Sequence, residues 1–186
     1  LHDLGVKRIE FIDDIFNVKA KDFKQFFKLV LKNKLKLNFF FPSALKGDLL
    51  DQEGIDLMVE AGGLGVNISL ESGSSRMQAV MRKNLDLDKF YNNASYIVEK
   101  YPHVVLGLNA MHGFPTETEE EAMMTLNFIK ELKWIHFPYL LTVRAFPNTE
   151  IEKFAKEQGI PDEVIKKSQD LSYEDTAPSL TFSQDF

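Results

Sequence analysis

The sequence has 186 residues, 44% of them hydrophobic and 27% charged, a composition typical of one globular domain with a sizeable core. Its 22 basic and 28 acidic residues give a net charge of -6, which argues against nucleic acid as a partner because such a surface repels phosphate groups. The sequence contains no cysteine, which excludes disulfides, zinc–thiolate sites and thiolate-held iron–sulfur clusters within this chain. No apolar run is long enough to span a membrane and no signal peptide is visible, so a cytoplasmic location is predicted, without a membrane partner.

The first half of the chain alternates predicted strands and helices. Its opening letters, "LHDLGVKR", are typical of the tail of a helix that ends at Gly5, so the chain is predicted to be a piece of a longer protein. A strand over residues 6–13 precedes a helix whose apolar stripe spans residues 23–31. The second strand, 35–42, precedes a helix that Asp51 caps.

The second half continues the alternation. A strand is predicted over residues 65–70, a helix over 90–101 and a fourth strand over 103–111. Thr118 and Glu121 have the spacing of a capping box, in which the two side chains satisfy each other's backbone amides at the start of a helix.

The last predicted strand covers residues 137–143 and is followed by a short helix over 150–158. Residues 160–186 form a polar segment with one weak helical pattern, so the predicted boundary separates a core, 1–159, from this C-terminal segment. Five strands, each followed by a helix, indicate parallel pairing through right-handed crossovers. No glycine-rich phosphate loop follows any strand. The predicted fold class is therefore α/β, a partial (β/α) barrel rather than a doubly wound sheet.

Polar residues follow the predicted strands at the ends where parallel sheets and barrels bind ligands. The sequence therefore predicts a polar pocket that accommodates amine, carboxylate and hydroxyl groups. The residues concerned are Asp13, Asp14 and Asn17 after the first strand, Ser43 after the second, Glu71, Ser72, Ser74 and Ser75 after the third, Asn109, His112 and Gly113 at the fourth, and Arg144 after the fifth. The four histidines lack metal-ligand spacing, so no metal site is predicted.

Structural roles compete with this interpretation. Asp13 and Asp14 are suited to capping the helix that follows them. Glu71 is close enough in sequence to Arg76 and Arg82 to form an ion pair with either. Only the shared location of several polar strand ends favours a ligand site over these alternatives.

Four stretches in order resemble the radical S-adenosylmethionine superfamily, and in particular its cobalamin-associated branch of oxidative-cyclase-like and methyltransferase-like proteins. The stretches are "FIDDIF", "ISLESGSSRMQAVMRKN", "VLGLNAMHGFPTETEEEAMMTLNFIKEL" and "RAFPNTEI". The resemblance covers about residues 6–159. It implies a six-stranded partial barrel, of which the five predicted strands are similar to the second to sixth.

The resemblance implies roles for individual residues. Asp13 and Asp14 match the strand end that binds the amino group of the cofactor's methionine part. Glu71, Ser72 and Ser74 match a run that contacts the ribose and the amino-acid part. A zwitterionic, sugar-bearing ligand suits these groups, because a carboxylate binds an ammonium and hydroxyls bind a ribose.

The resemblance extends to further positions. Lys83, with Arg82 beside it, resembles the partner of the cofactor's carboxylate. Asn109, one of the polar strand ends, is also predicted to contact the cofactor. The remaining matches are Gly113, Pro115, Glu117 and Thr118 near the adenine, and Pro147 and Thr149 after the last strand.

The sequence departs from the family at three places. The family's CxxxCxxC loop, which holds a [4Fe-4S] cluster, is absent because the chain has no cysteine; truncation is the favoured explanation. Thr116 and Asn148 stand where the family has glycine, and asparagine tolerates left-handed backbone angles better than most residues. The resemblance implies S-adenosylmethionine as a cofactor, the cluster only in the parent protein, and cobalamin through a domain outside this chain.

The functional prediction is an S-adenosylmethionine-binding core of an iron–sulfur radical enzyme, inactive as this cysteine-free piece. The parent is expected to cleave the cofactor reductively and carry out radical oxidoreduction or methyl transfer, with a small-molecule substrate and a reductant such as ferredoxin or flavodoxin. Two alternatives stay open. One is a cluster-free binding or scaffold module. The other is a hydrolase that uses Glu71 with Asp13 or Asp14 as a carboxylate pair.

Overall fold

The structure is a computed structural model that describes residues 2–169. Its strands are β1 (Arg8–Glu10), β2 (Asn38–Leu45), β3 (Gly63–Glu71), β4 (Val105–His112) and β5 (Phe137–Thr142). Its α-helices are α1 (Ala20–Lys32), α2 (Gln52–Glu60), α3 (Ser75–Val80), α4 (Leu87–Lys100), α5 (Glu119–Glu131), α6 (Glu150–Glu157) and α7 (Asp162–Gln169). Short 3-10 turns lie at His2–Leu4 and Gly47–Leu49. The predicted segment 160–186 is described only as far as residue 169.

The strands form one sheet in the order β1-β2-β3-β4-β5, and β2 pairs in parallel with both β1 and β3. This confirms the predicted α/β alternation. The predicted limits of two strands, 6–13 and 35–42, were wrong at both ends. β1 is shorter than predicted, and Ile12 beyond it is exposed. β2 continues past Pro42 to Leu45 because the register with β3 shifts between Phe41 and Leu45, and such an irregularity accommodates a proline that cannot donate to the ladder.

The helices follow their predicted signals closely. Asp51 caps α2 by accepting from the Gly54 backbone amide, and the capping box of α5 forms as Glu121 accepts from the Thr118 amide. The sequence did not predict α3, a six-residue helix. It is too short to show a helical period, and it starts where the Ser74 side chain accepts from the amide of Met77.

The described chain divides into two compact units that interleave in sequence. Unit 1 comprises residues 2–70, 84–109 and 129–139, and unit 2 comprises residues 71–83, 110–128 and 140–169. The core of unit 1 contains a cluster of phenylalanine rings with centroids 4.1 to 6.3 Å apart, in stacked and edge-on pairs. Its members are Phe11, Phe16, Phe23, Phe26, Phe27, Phe39 and Phe41. Phe40, between the buried Phe39 and Phe41 in β2, is only half-buried and lies against the Arg8 guanidinium.

Unit 2 has its own apolar core, formed by α3, α6, α7 and the segments that follow β4 and β5. The buried members are Met77, Phe114, Val143, Ala145, Ala155 and Ile165. Among residues 2–169, no helix is long and apolar enough to cross a membrane.

Candidate functional site

The predicted site residues divide between the two units. Unit 2 contains those that follow β3, β4 and β5, and unit 1 contains those of the β1 end and the middle of β4. The first group is Glu71, Ser72, Ser74, Arg82, Lys83, Gly113, Pro115 and Pro147, and the second is Asp13, Asp14 and Asn109. The predicted site residues in unit 2 make more hydrogen bonds and ion pairs than those in unit 1.

Glu71 ends β3 and pairs with Lys83. Its carboxylate oxygen Oε1 lies 3.0 Å from the Lys83 ammonium; the Glu71 side chain is 10% exposed and that of Lys83 49%. The ion pairs suggested by sequence with Arg76 or Arg82 were wrong, because Arg76 pairs with Glu121 and Arg82 with Glu150. Glu71 also has a left-handed backbone, with φ of 63°. Such conformations concentrate at functional sites when they occur outside glycine.

The turn after Glu71 is fixed by side-chain hydrogen bonds. The Ser72 hydroxyl accepts from the Ser74 amide at 3.1 Å and lies 3.3 Å from the hydroxyl of Thr125. Gln78 donates to the Ser72 carbonyl at 2.6 Å. Ser72 and Ser74 are buried and engaged within unit 2. Their hydroxyls therefore shape the turn in the structure.

Glu121, on α5, accepts hydrogen bonds from three other residues. Ser74 Oγ donates to its Oε1 at 2.8 Å, Arg76 Nε donates to the same oxygen at 2.7 Å, and the Thr118 amide donates to its Oε2 at 3.0 Å. The Arg76 guanidinium lowers the pKa of Glu121 to about 2. This tertiary role of Glu121 could not be predicted from the sequence, because the capping box already explains a glutamate at this position.

The turn after β4 is built around Glu117. Its Oε2 accepts from the Phe114 amide at 3.2 Å and from the Gly113 amide, and Gly113 has φ of 81°. Its Oε1 is buried and has no hydrogen-bond partner among residues 2–169. Burial raises the pKa of Glu117. Pro115, which lies between these residues, is also buried.

Both positions where the sequence departs from the family's glycines have left-handed backbones. Thr116 has φ of 72° and Asn148 has φ of 65°. The Thr116 carbonyl accepts from Arg76 Nη2 at 2.6 Å, which helps to hold the strained residue. Asn148 follows the exposed Pro147 and donates its amide to Glu152 at 2.8 Å. The backbone that glycine would supply is thus retained with other side chains.

We expect Thr116→Gly to raise the free energy of unfolding by about 0.5–1 kcal/mol, because relief of left-handed strain exceeds the added flexibility of the unfolded chain. The carbonyl bond to Arg76 survives the change. Asn148→Gly is the matched control and should change stability by at most about 0.3 kcal/mol, since asparagine tolerates this region. Urea denaturation measures both, and an equal gain in the two variants would contradict the explanation.

A cavity of about 430 Å³ opens beside Arg82 in unit 2. Its apolar lining includes Met81, Phe114 and Phe154. The exposed pair of Arg82 and Glu150, with 3.2 Å between Nη1 and Oε2, lies at this cavity. Arg82 and Lys83 are adjacent in sequence but have different partners: Arg82 pairs with Glu150 at the cavity, and Lys83 pairs with Glu71 at the end of β3.

In unit 1, Asp13 and Asp14 are exposed in the segment after β1, and their side chains make no hydrogen bond or ion pair to any described residue. The suggestion that they cap α1 was wrong, because the N-cap is Lys19 and no side chain accepts there. Asn17 instead is buried and exchanges two hydrogen bonds with the backbone of Lys46, at 2.8 and 2.9 Å. Asn109 is half-buried within β4.

The chain is similar in sequence to known enzymes. The family model of the radical SAM superfamily matches residues 1–129. The chain is 31% identical over 103 residues to tRNA-2-methylthio-N(6)-dimethylallyladenosine synthase of Clostridium botulinum, covering 55% of this chain and 22% of that protein. It is 32% identical over 95 residues to the threonylcarbamoyladenosine tRNA methylthiotransferase MtaB of Aquifex aeolicus, covering 48% and 23%.

Two solved structures share the fold. The radical S-adenosylmethionine methyltransferase TsrM from Kitasatospora setae, with cobalamin and a [4Fe-4S] cluster bound, matches with a TM-score of 0.72 at 18% identity, covering 85% of this chain and 32% of that one. Coproporphyrinogen III oxidase HemN from Escherichia coli, a radical SAM enzyme, gives 0.55 at 14%, covering 78% and 32%. The partial-barrel fold class is confirmed.

The chain spans only about a fifth to a third of the length of these relatives. Two of them are named for modifications of tRNA. The expectation from net charge that nucleic acid is not a partner is therefore not supported.

Proposed function

Because the chain belongs to the radical SAM superfamily, we propose that unit 2 binds the methionine part of S-adenosylmethionine, as a segment of an iron–sulfur radical enzyme. The observation that carries the proposal is the pair of Glu71 and Lys83 at the end of β3. An α-amino acid carries an ammonium and a carboxylate on one carbon, so an adjacent carboxylate and ammonium are complementary to it.

The proposal assigns ligand contacts to some of the predicted site residues and structural roles to others. Glu71 accepts from the ligand's ammonium and Lys83 donates to its carboxylate. Ser72 and Ser74 act on the shape of the turn, since their hydroxyls are already bonded inside unit 2. Asp13 and Asp14 lie in unit 1 and stay a prediction from the sequence, as carboxylates suited to an ammonium group. Within unit 2, Arg82 is a less favoured partner than Lys83 because it pairs with Glu150 and not with Glu71.

The described residues do not fit the [4Fe-4S] cluster. The sequence has no cysteine, and no group of three or more His, Asp or Glu side chains among residues 2–169 is placed to hold a metal ion. When bound, such a cluster supplies the electron for reductive cleavage of the cofactor. The proposal therefore assigns to this chain only the binding and orientation of S-adenosylmethionine, and leaves the cluster and any cobalamin to other parts of the parent protein.

For the substrate of the longer parent protein, we propose only a chemical class. Oxidoreduction, methyl transfer and methylthio transfer all agree with the names of the relatives, and the substrate is a small molecule or a tRNA. A reductant such as ferredoxin or flavodoxin is part of the proposal, and a cytoplasmic location remains a prediction. Neither unit provides an observation that supports a carboxylate-pair hydrolase or a scaffold module.

The proposal predicts that Glu71→Gln and Lys83→Met each weaken binding of S-adenosylmethionine about 10- to 100-fold, because each removes a charge-assisted hydrogen bond worth about 1.5–3 kcal/mol. Isothermal titration calorimetry measures the dissociation constants. The matched control is Lys153→Met, which removes an exposed lysine paired with Glu157 in the same unit. Equal affinities in all four proteins, with unchanged circular dichroism, would refute this use of Glu71 and Lys83.

A further inference from the structure

Two side chains one helical turn apart on α5 hold the turn that follows Glu71. We propose that Glu121 and Thr125 are positioning residues for Glu71: they fix the 71–75 turn against α5 so that the Glu71–Lys83 pair is preformed for its ligand. The inference rests on the proposed function for its consequence, but not for its geometry. Neither residue was a candidate for this role from the sequence.

Thr125 contacts the turn twice. Its Oγ1 accepts from the Gly73 backbone amide at 2.9 Å and lies 3.3 Å from the Ser72 hydroxyl. Thr125 is 0% exposed, and its hydroxyl also donates to the Glu121 carbonyl at 3.3 Å. A buried hydroxyl with these three partners orients the backbone at Gly73 and the side chain of Ser72 together.

Glu121 holds the far side of the same turn. Its carboxylate accepts from Ser74 Oγ, which also accepts from the amide of Met77 and so begins α3. It accepts as well from Arg76, whose guanidinium reaches the carbonyl of the left-handed Thr116. One carboxylate thus joins the turn after β3 to the turn after β4, both of which carry predicted cofactor contacts.

The turn packs closely against α5 at Gly73. A Cβ atom on Gly73 would lie 2.9 Å from the Met124 carbonyl oxygen and 3.0 Å from the Thr125 Cα. Both are backbone atoms of α5, so the turn lies directly on the helix main chain. Since residues i and i+4 share a helix face, Glu121 and Thr125 hold the turn at two points on the same side of α5.

A change in the turn should alter the conformation of Glu71, because the Glu71 backbone is strained. A glutamate with φ of 63° persists when its surroundings determine its conformation on both sides. On one side the β3 ladder fixes the chain, and on the other side the turn held by α5 does so. If the turn loosens, Glu71 is free to leave the left-handed region, and the carboxylate then moves away from Lys83.

The test uses Thr125→Val, which keeps the shape but loses the hydroxyl, with Thr125→Ser as the conservative variant that retains it. The ligands are S-adenosylmethionine and adenosine, which lacks the amino-acid part. We expect the valine variant to lose about tenfold in S-adenosylmethionine affinity and the serine variant less than about twofold, with adenosine binding unchanged in both. Thr142→Val, in the same unit, is the control for removal of a threonine hydroxyl elsewhere.

Coupling separates positioning from a merely structural effect. In the double variant Glu71→Gln/Thr125→Val, the loss should equal that of Glu71→Gln alone, because Thr125 acts through Glu71. Equal losses for S-adenosylmethionine and adenosine, or additive losses in the double variant, would overturn the inference while leaving the proposed function intact. Absence of S-adenosylmethionine binding in the unchanged protein would instead overturn the proposed function.

A measurement without ligand keeps the positioning claim testable in that case too. The carboxyl ¹³C signal of Glu71 and the ¹⁵Nζ signal of Lys83 report the pair directly. Thr125→Val should shift both signals, whereas Thr125→Ser should leave both where they are in the unchanged protein. Unchanged signals in the valine variant would contradict the role of Thr125 whatever the ligand is.

Discussion

Replacing Gly62 with alanine should destabilise the chain by about 3–5 kcal/mol, a large fraction of the roughly 5–15 kcal/mol that stabilises a typical domain. Gly62 follows the end of α2 with φ of 111°, a conformation that side chains rarely adopt. A Cβ atom there would lie 2.0 Å from the carbonyl oxygen of Leu37, just before β2. The Gly62 carbonyl accepts from the Phe39 amide at 2.8 Å, so relief of the clash would also disturb the start of β2.

The control for Gly62 is Gly5→Ala. Gly5 also has a positive φ, 81°, but a Cβ atom added to it would meet no described atom within 4 Å. The substitution should cost only the strain of a left-handed alanine, about 1–2 kcal/mol. Denaturation in urea, followed by circular dichroism, gives both values. Equal losses at the two glycines would mean that backbone conformation alone, and not the approach of Leu37, sets the requirement for glycine.

Gly73→Ala should cost about 2–3 kcal/mol in stability, because the added methyl group meets backbone atoms of α5 that have little freedom to yield. No strain of φ contributes, so the effect isolates close packing. The bond from the Gly73 amide to Thr125 should weaken at the same time. In the proposed site, the displaced turn carries Glu71 with it, so S-adenosylmethionine affinity should fall by at least about tenfold.

Ser75→Ala, at an exposed neighbouring position, provides the comparison for Gly73. Its stability should change by at most about 0.5 kcal/mol. Thermal unfolding and calorimetric titration on both variants are sufficient. A Gly73→Ala protein as stable as the Ser75→Ala protein would show that the turn does not rest on α5 as the structure has it.

The periodic parts of the chain could be predicted from the sequence. Five apolar strands and six helices lie at the expected places, because hydrophobic period and caps are local properties. Asp51 and the Thr118–Glu121 box began their helices as predicted. α3 could not be predicted, because six residues are fewer than two helical turns and are too few to show the hydrophobic period of a helix.

Partners across the fold could not be predicted in the same way. Sequence proximity suggested Arg76 or Arg82 for Glu71, whereas the turn at the end of α3 brings Lys83 to it. Glu121 accepts from Ser74 and Arg76, which are 47 and 45 residues away in sequence. Such contacts depend on which strands are neighbours, and local patterns do not contain that information.

Of the two positions where the family has glycine, the backbone conformation could be predicted for one and not for the other. The sequence indicated that Asn148 tolerates the backbone of glycine, and the structure gives it a positive φ. For Thr116 no local rule favours that conformation. The bond from Arg76 to its carbonyl, which spans 40 residues, helps to hold that conformation.

The central claim is that Glu71 and Lys83 form a zwitterion-binding pair, and nuclear magnetic resonance tests it most directly. With the Glu71 carboxyl and Lys83 Nζ observed during titration with S-adenosylmethionine, both signals should shift together with one dissociation constant. The Arg76 Nε signal, held by Glu121, should stay in place. Binding that shifts neither Glu71 nor Lys83 would contradict the account.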